Sequence, residues 1–382
     1  MACKLGTWWV VFVLCLVSNL QQYYWVVGEP QVPCFFIFGD SLFDNGNNNG
    51  LPTLSRANYP PNGIDFPDGP TGRFCNGRTL VDVIAELLGF DSYIPPFASS
   101  IGPSIGPDIL KGVNYASGAA GIRIESGQLL GARISLDLQL MNHKTIVLRI
   151  ANLLGNNDLA AKHLSKCLYT VGLGSNDYLN NYFLPLLYQT SRQYTPEQYA
   201  QVLIQQYYQQ IMTLYKFGAR KVAFIGLGPI GCMPYSIAMF GTDESSCVEK
   251  MNSAVKLFNS KLISLVDGLN RNLTDAKFIY VNFYDMLFSV NISSAGFKES
   301  NTACCGIGKN KGQFTCLLTQ IPCKNRSEYI FWDPYHPTDA ANVMAAGLAY
   351  NAQSPSDAYP IDIRRLAALN LTPAAHGKII ST

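Results

Sequence analysis

Residues 38–50 read FGDSLFDNGNNNG and residues 332–338 read WDPYHPT. The first stretch offers a hydroxyl, Ser41, at the end of an apolar run. The second offers an imidazole, His336, with a carboxylate, Asp333, three residues before it. A serine is a poor nucleophile without a base. One short turn stiffened by Pro334 and Pro337 can present both partners. Asp333 would accept from the δ nitrogen of His336, leaving the ε nitrogen to take the Ser41 proton. The chain has four histidines. His143 and His163 fall in helical patterns and His376 in a polar tail, so His336 is the candidate base.

Rival chemistries for the first stretch fail on spacing. Asn45, Asn47, Asn49 and Gly50 match the opening of a calcium loop, but Arg56 stands where a bidentate glutamate is required. No G-K-S/T follows, so a phosphate loop is excluded. The elbow G-x-S-x-G is absent at Ser41. The plainer alternative is a turn solvated by its asparagines. Asp40 and Asp44 read as turn or hydrogen-bonding residues, and Arg73 and Arg78 as cations that could pair with a carboxylate of this first loop.

Something must carry Ser41 and His336 to one place. Short apolar runs recur at residues 33–39, 109–117, 167–173, 220–227 and 277–283, and read as buried strands of a largely parallel sheet. Helical patterns fall at 79–88, 133–154, 195–218, 248–268 and 338–349. In the third of these, Thr195 and Gln198 form a capping box around Pro196, and Gly218 marks the stop. Strands alternating with helices imply an α/β sandwich. In such folds chemistry gathers at the carboxyl ends of strands. The ends here carry Gly39-Asp40-Ser41, Ser117-Gly118-Ala119, Gly174-Ser175-Asn176 and Gly228-Pro229. Nothing between residues 33 and 350 resembles a linker, so residues 29–382 are expected to form a single domain, with 353–382 as a C-terminal extension.

The chain has 382 residues, 48% of them hydrophobic, and a net charge of +2. That is enough for one large core, and without a basic stripe nucleic acid is excluded as a partner. Lys4 and the apolar run 8–17 read as a secretory leader, residues 1–28, too short to span a bilayer comfortably, with a signal anchor as the alternative. No membrane span remains once it is removed. Nine of the eleven cysteines lie beyond that leader. Four of them, Cys304, Cys305, Cys316 and Cys323, sit in a loop with little core of its own, where two disulfides are expected with open connectivity. Zinc is the rival there, but the adjacent cysteines lack C-x-x-C spacing. Cys232 and Cys247 suggest a local pair, and Cys167 is the expected buried free thiol. Sequons at Asn272, Asn291, Asn325 and Asn370 fit an extracellular glycoprotein.

FGDSLFDNGNNN, GVNYASGAAGI (112–122), VGLGSNDYLNNY (171–182) and DPYHPTDAAN (333–342) together resemble four blocks of the plant GDSL esterase/lipases of the SGNH hydrolase superfamily. They occur in the same order, and LGPIGCMP (227–234) is also similar to a family segment. The resemblance implies a doubly wound three-layer α/β/α sandwich around five mostly parallel strands. It implies Ser41 as nucleophile, His336 as base and then acid, and Asp333 as its orienting partner. It also implies an oxyanion hole from the N–H groups of Ser41 and Gly118 and the amide of Asn176. Such blocks often carry two adjacent glycines where this chain has Gly118-Ala119. No metal or organic cofactor is needed. The expected function is a secreted esterase or lipase acting on small-molecule, lipid or polysaccharide esters. An acyltransferase with the same residues and a non-catalytic binder on the same fold are the alternatives.

Overall fold

The structure is a computed structural model describing residues 29–102, 106–243, 245–286 and 295–371. The leader, Asn291 and residues 372–382 lie outside the described residues.

Four parallel strands stand side by side: β1 (Phe35–Gly39), β2 (Leu168–Gly172), β3 (Lys221–Ile225) and β4 (Lys277–Val281). Every residue of β1, β2 and β3 is buried, as strands covered on both faces must be. A separate pair, β5 (Glu299–Ala303) and β6 (Tyr329–Phe331), lies off the main sheet. The main helices are α1 (Leu80–Leu87), α2 (Leu136–Leu154), α3 (Asn157–Leu164), α4 (Pro196–Lys216), α5 (Glu249–Asn272), α6 (Asp339–Tyr350) and α7 (Ile363–Ala368). Helix α4 packs against α2 and α5, while α1 packs against α6. The capping box at Thr195 and Gln198 is present, with Pro196 at the first helical position.

Two elements differ from the sequence reading. Residues 109–117 do not form a regular strand. Pro107–Lys111 winds into a single tight turn, and only residues 113–117 run beside β1. There they form three bonds, from Ile37 N–H to Val113 O, Tyr115 N–H to Ile37 O and Ser117 N–H to Gly39 O. The fifth strand of the sheet is instead β7 (Ala358–Tyr359), antiparallel to β4. It lies in the segment expected to be an extension, and Ile363 and Leu366 of the following helix are buried in the core.

The chain therefore leaves β1, returns along its outer edge at 113–117, then crosses to β2 on the other side. That reversal makes the end of β1 a topological switch point, where open α/β sheets bind ligands.

The cysteine pairs are Cys34–Cys167, Cys232–Cys247, Cys304–Cys323 and Cys305–Cys316. Cys167 is thus not the free thiol. The register pairs Phe35 with Leu168, which sets the residues just before them 4.7 Å apart at Cα. Cys75 is the free thiol among the described residues, buried with its Sγ donating to Gly77 O.

Candidate active site

Ser41 stands one residue past Asp40 in a turn that ends β1. Backbone N–H groups of Phe43 and Asp44 return to Asp40 O, and the Leu42 N–H donates to Asp40 Oδ1. The turn needs glycine at position 39, because a Cβ there would lie 2.4 Å from the Phe43 ring.

The second stretch meets it from the far end of the chain. Asp333 Oδ1 accepts the N–H groups of Tyr335 and His336 at 2.8 Å each, which closes the turn. His336 Nδ1 lies 2.8 and 2.7 Å from the two carboxylate oxygens of Asp333. His336 Nε2 lies 2.8 Å from Ser41 Oγ. The carboxylate selects the tautomer with hydrogen on Nδ1, so Nε2 accepts from the serine. Trp332 anchors the loop behind them, its indole N–H donating to Asn62 at 2.9 Å, and the Phe74 ring packs 5.1 Å from the imidazole.

The asparagine tract is not solvated. Asn45, Asn47 and Asn48 are buried. Asn47 Nδ2 donates to the carbonyls of Asn114 and Ala116. Asn48 Nδ2 donates to Ser55 O and Gly118 O, and Ser117 Oγ donates to Asn48 Oδ1. A primary amide offers two donors and an acceptor from one short side chain, which suits it to bind two irregular backbones together.

This network fixes where the predicted oxyanion donors fall. The Gly118 N–H donates to Asp44 Oδ2 at 2.9 Å, so its hydrogen is already engaged within the loop. The glycine is required for packing instead. A Cβ at 118 would come within 2.7 Å of the Phe74 ring and Ser55 Oγ, and 2.8 Å from Asn48 Nδ2. The next residue, Ala119, lines the cleft and holds φ +65°, a left-handed conformation rare outside glycine. Its N–H makes no hydrogen bond among the described residues. The signal for it in the sequence was the pair Gly118-Ala119 where related blocks often carry two glycines. Asn176 also lines the cleft. One amide hydrogen goes to Ala120 O at 2.9 Å and its Oδ1 accepts from Asn180 at 2.6 Å, which leaves one amide hydrogen over.

Three carboxyls around this site are buried. Burial pushes Asp40 up to about 7, offset by the Leu42 N–H and the nearby His336. Burial pushes Asp44 up to about 6 against the N–H groups of Gly46, Gly118 and Asn47. Asp177 is likewise raised to about 6 by burial, opposed by hydrogen bonds from Arg123, Ser126 and Ile122. Neither Arg73 nor Arg78 pairs with these carboxyls. Arg73 pairs with Asp82, and Arg78 with Asp339 and Glu86.

Ser41, Asn176, Asp333 and His336 share one cleft of about 380 Å³ with Ala119. Its apolar lining includes Leu54, Phe74, Leu130, Leu179 and Phe314. Asn272, Asn325 and Asn370 are exposed and do not line this cleft. The described residues contain one cluster of metal-ligating types, Cys34, His163 and Cys167, and two of its three members are joined as a disulfide.

A hydroxyl, an imidazole and a carboxylate thus stand in line at the switch point of a doubly wound sheet. Residues 35–348 match the family described as GDSL-like Lipase/Acylhydrolase. The chain is 54% identical to the GDSL esterase/lipase At1g29660 of Arabidopsis thaliana, over 96% of this chain and 99% of that protein. It is 46% identical to GDSL esterase/lipase 7 of the same plant, over 89% of this chain and 93% of that one. A phospholipase A1 from Streptomyces albidoflavus NA297 is similar at 13% identity and a TM-score of 0.31, covering 83% of this chain and 97% of that one. The chain belongs to the GDSL-like lipase/acylhydrolase family and is a hydrolase acting on esters.

Proposed function

We propose that the protein is a secreted serine esterase or lipase that cleaves carboxylic esters through an acyl-enzyme. The observation that carries this reading is the line from Ser41 Oγ through the two nitrogens of His336 to Asp333 on the floor of an apolar cleft. Ser41 Oγ attacks the ester carbonyl as its proton passes to His336 Nε2. Asp333 holds the ring in that tautomer and stabilises the imidazolium. The negative oxygen of the tetrahedral intermediate is met by the Ser41 N–H, the Ala119 N–H and the remaining Asn176 amide hydrogen. His336 returns its proton to the departing alkoxide, which leaves as an alcohol. Water then attacks the acyl-Ser41 ester, His336 again taking and returning one proton. The carboxylic acid is released and Ser41 is restored.

Secretion is supported by the apolar run 8–17, by four disulfides, and by the exposure of Asn272, Asn325 and Asn370. Among the described residues no helix is long and apolar enough to cross a membrane. The test is hydrolysis of p-nitrophenyl esters, acetyl to palmitoyl, by the purified protein and its Ser41→Ala form. A fall in kcat of about 10⁴-fold or more is expected with the fold intact. Equal turnover by the two forms would sink the assignment of the nucleophile.

A further inference from the structure

The cleft opens between two segments whose apolar side chains are left in water. On one side Leu54 is 81% exposed, and its N–H is tied to Leu130 O in the facing turn. On the other side Phe314 is 64% exposed and also lines the cleft. Beyond it, in the same disulfide-closed loop, Leu318 and Ile321 are 60% and 89% exposed. Isolated apolar side chains on a surface need no explanation, but a group of them bordering a binding cleft does.

The loop is not loose chain. Cys304–Cys323 and Cys305–Cys316 close it, and Tyr59 of the opposite wall donates its hydroxyl to Cys316 O at 3.0 Å. The backbone is thus fastened in place while these apolar side chains stay exposed.

The charge on the same rim has one sign. Residues 306–324 contain Lys309, Lys311 and Lys324 and no acidic residue. Residues 45–64 contain Arg56, which lines the cleft, and no acidic residue. Lys311 is turned inward onto Cys304 O, while Arg56 and Lys324 are exposed. Apolar side chains with interspersed cations and no anions match the boundary of an anionic lipid layer. There the apolar groups enter the acyl region and the cations meet the headgroups.

We propose that the rim formed by Leu54, Phe314, Leu318 and Ile321 docks on an anionic lipid surface, so that esters of lipids enter the cleft directly from that surface. This rests on the ester-hydrolase reading above and names the class of substrate it acts on.

The experiment separates docking from turnover. The secreted Ser41→Ala protein is sedimented with vesicles of phosphatidylcholine alone and of phosphatidylcholine with phosphatidylglycerol. Binding is expected with the mixed vesicles and weaker binding with the neutral ones. It should weaken as salt rises to about 1 M, where screening reaches within ~3 Å. Leu318→Ser combined with Ile321→Ser, neither of which lines the cleft, should reduce binding about tenfold or more. The same pair placed on the active protein should leave hydrolysis of soluble p-nitrophenyl acetate unchanged. No sedimentation with either vesicle would overturn the proposal. So would binding that the double variant leaves intact, since that would be adsorption by charge alone. Vesicle binding without hydrolysis of any ester would keep the surface and remove the enzyme reading.

Discussion

Two supports of the cleft are built by different chemistry. Residues 44–49 and 114–118 do not line it; they form a buried wall behind it, joined by side-chain amides that donate to backbone carbonyls. Residues 304–323 form a wall fastened by two disulfides, with its apolar side chains in solvent. A hydrogen bond fixes direction as well as distance. The wall that fixes the backbone at 114–118 is made of such bonds. A disulfide limits the freedom of a loop without dictating where the neighbouring side chains point. That is sufficient for a rim whose task is to present apolar surface.

The largest effect should come from the amide wall. Asn47→Ala removes the donor to Asn114 O at 2.9 Å and Ala116 O at 2.7 Å, and the acceptor for the Ala98 N–H at 2.9 Å. Asn114 O keeps the Phe97 N–H and Ala98 is exposed, so Ala116 O is the buried group left unpaired, which costs about 1–3 kcal/mol. A loss of that size is expected in denaturant unfolding, together with a fall in kcat as the 116–119 backbone relaxes. Cys305→Ser with Cys316→Ser should cost less in kcat on a short ester. The reverse ranking, measured on p-nitrophenyl acetate, would break the comparison.

A smaller effect concerns pH and the carboxyls behind the first wall. Asp40 is pushed up to about 7 from an ordinary value of 3.8. Between these values the folded chain keeps a proton that the unfolded chain has released. Stability contributed by the protonated form is therefore full below the lower value and is lost as pH rises through about 7. Asp44 and Asp177, each raised to about 6, act in the same direction. Asp40→Asn retains an oxygen for the Leu42 N–H and no longer titrates. The drop in Tm from pH 5 to pH 8 should be shallower in this variant. An identical drop would show that Asp40 does not carry its share of it.

Much of this fold was legible because its strands are short apolar runs and its helices carry their own caps. The capping box at Thr195 is a local signal, and local geometry fulfils it. The edge strand β7 was not legible, because Ala358–Tyr359 is only two residues long and has no period to read. The run 109–117 misled for the opposite reason. Its apolar residues are buried beside β1, but Gly112 at φ +126° interrupts extended structure at its start. The pairing of Cys34 with Cys167 depends on the register of two strands far apart in sequence, which composition does not encode. At the site, Ser41, Asp333 and His336 could be singled out by residue type and spacing. Which N–H of the pair 118–119 is already taken up by a hydrogen bond could not. It depends on Asp44 capturing the Gly118 hydrogen, a contact between residues 74 positions apart.

That last point yields the smallest predicted effect and the sharpest test of the amide wall. Ala119 holds φ +65°, a conformation that costs an L-residue about 1–2 kcal/mol. Ala119→Gly relieves that cost, while the added freedom of glycine in the unfolded chain takes back about 0.4–1 kcal/mol. The net change in stability should be within about 1 kcal/mol, and kcat should stay close to that of the parent because the N–H is unchanged. Gly118→Ala, by contrast, places a Cβ within 2.8 Å of Phe74, Ser55 and Asn48 and should lower both stability and turnover. The two variants differ by one methyl group on adjacent residues. A tenfold loss of kcat in Ala119→Gly with the fold intact would mean that the methyl group, and not the backbone N–H, is what the cleft requires at this position.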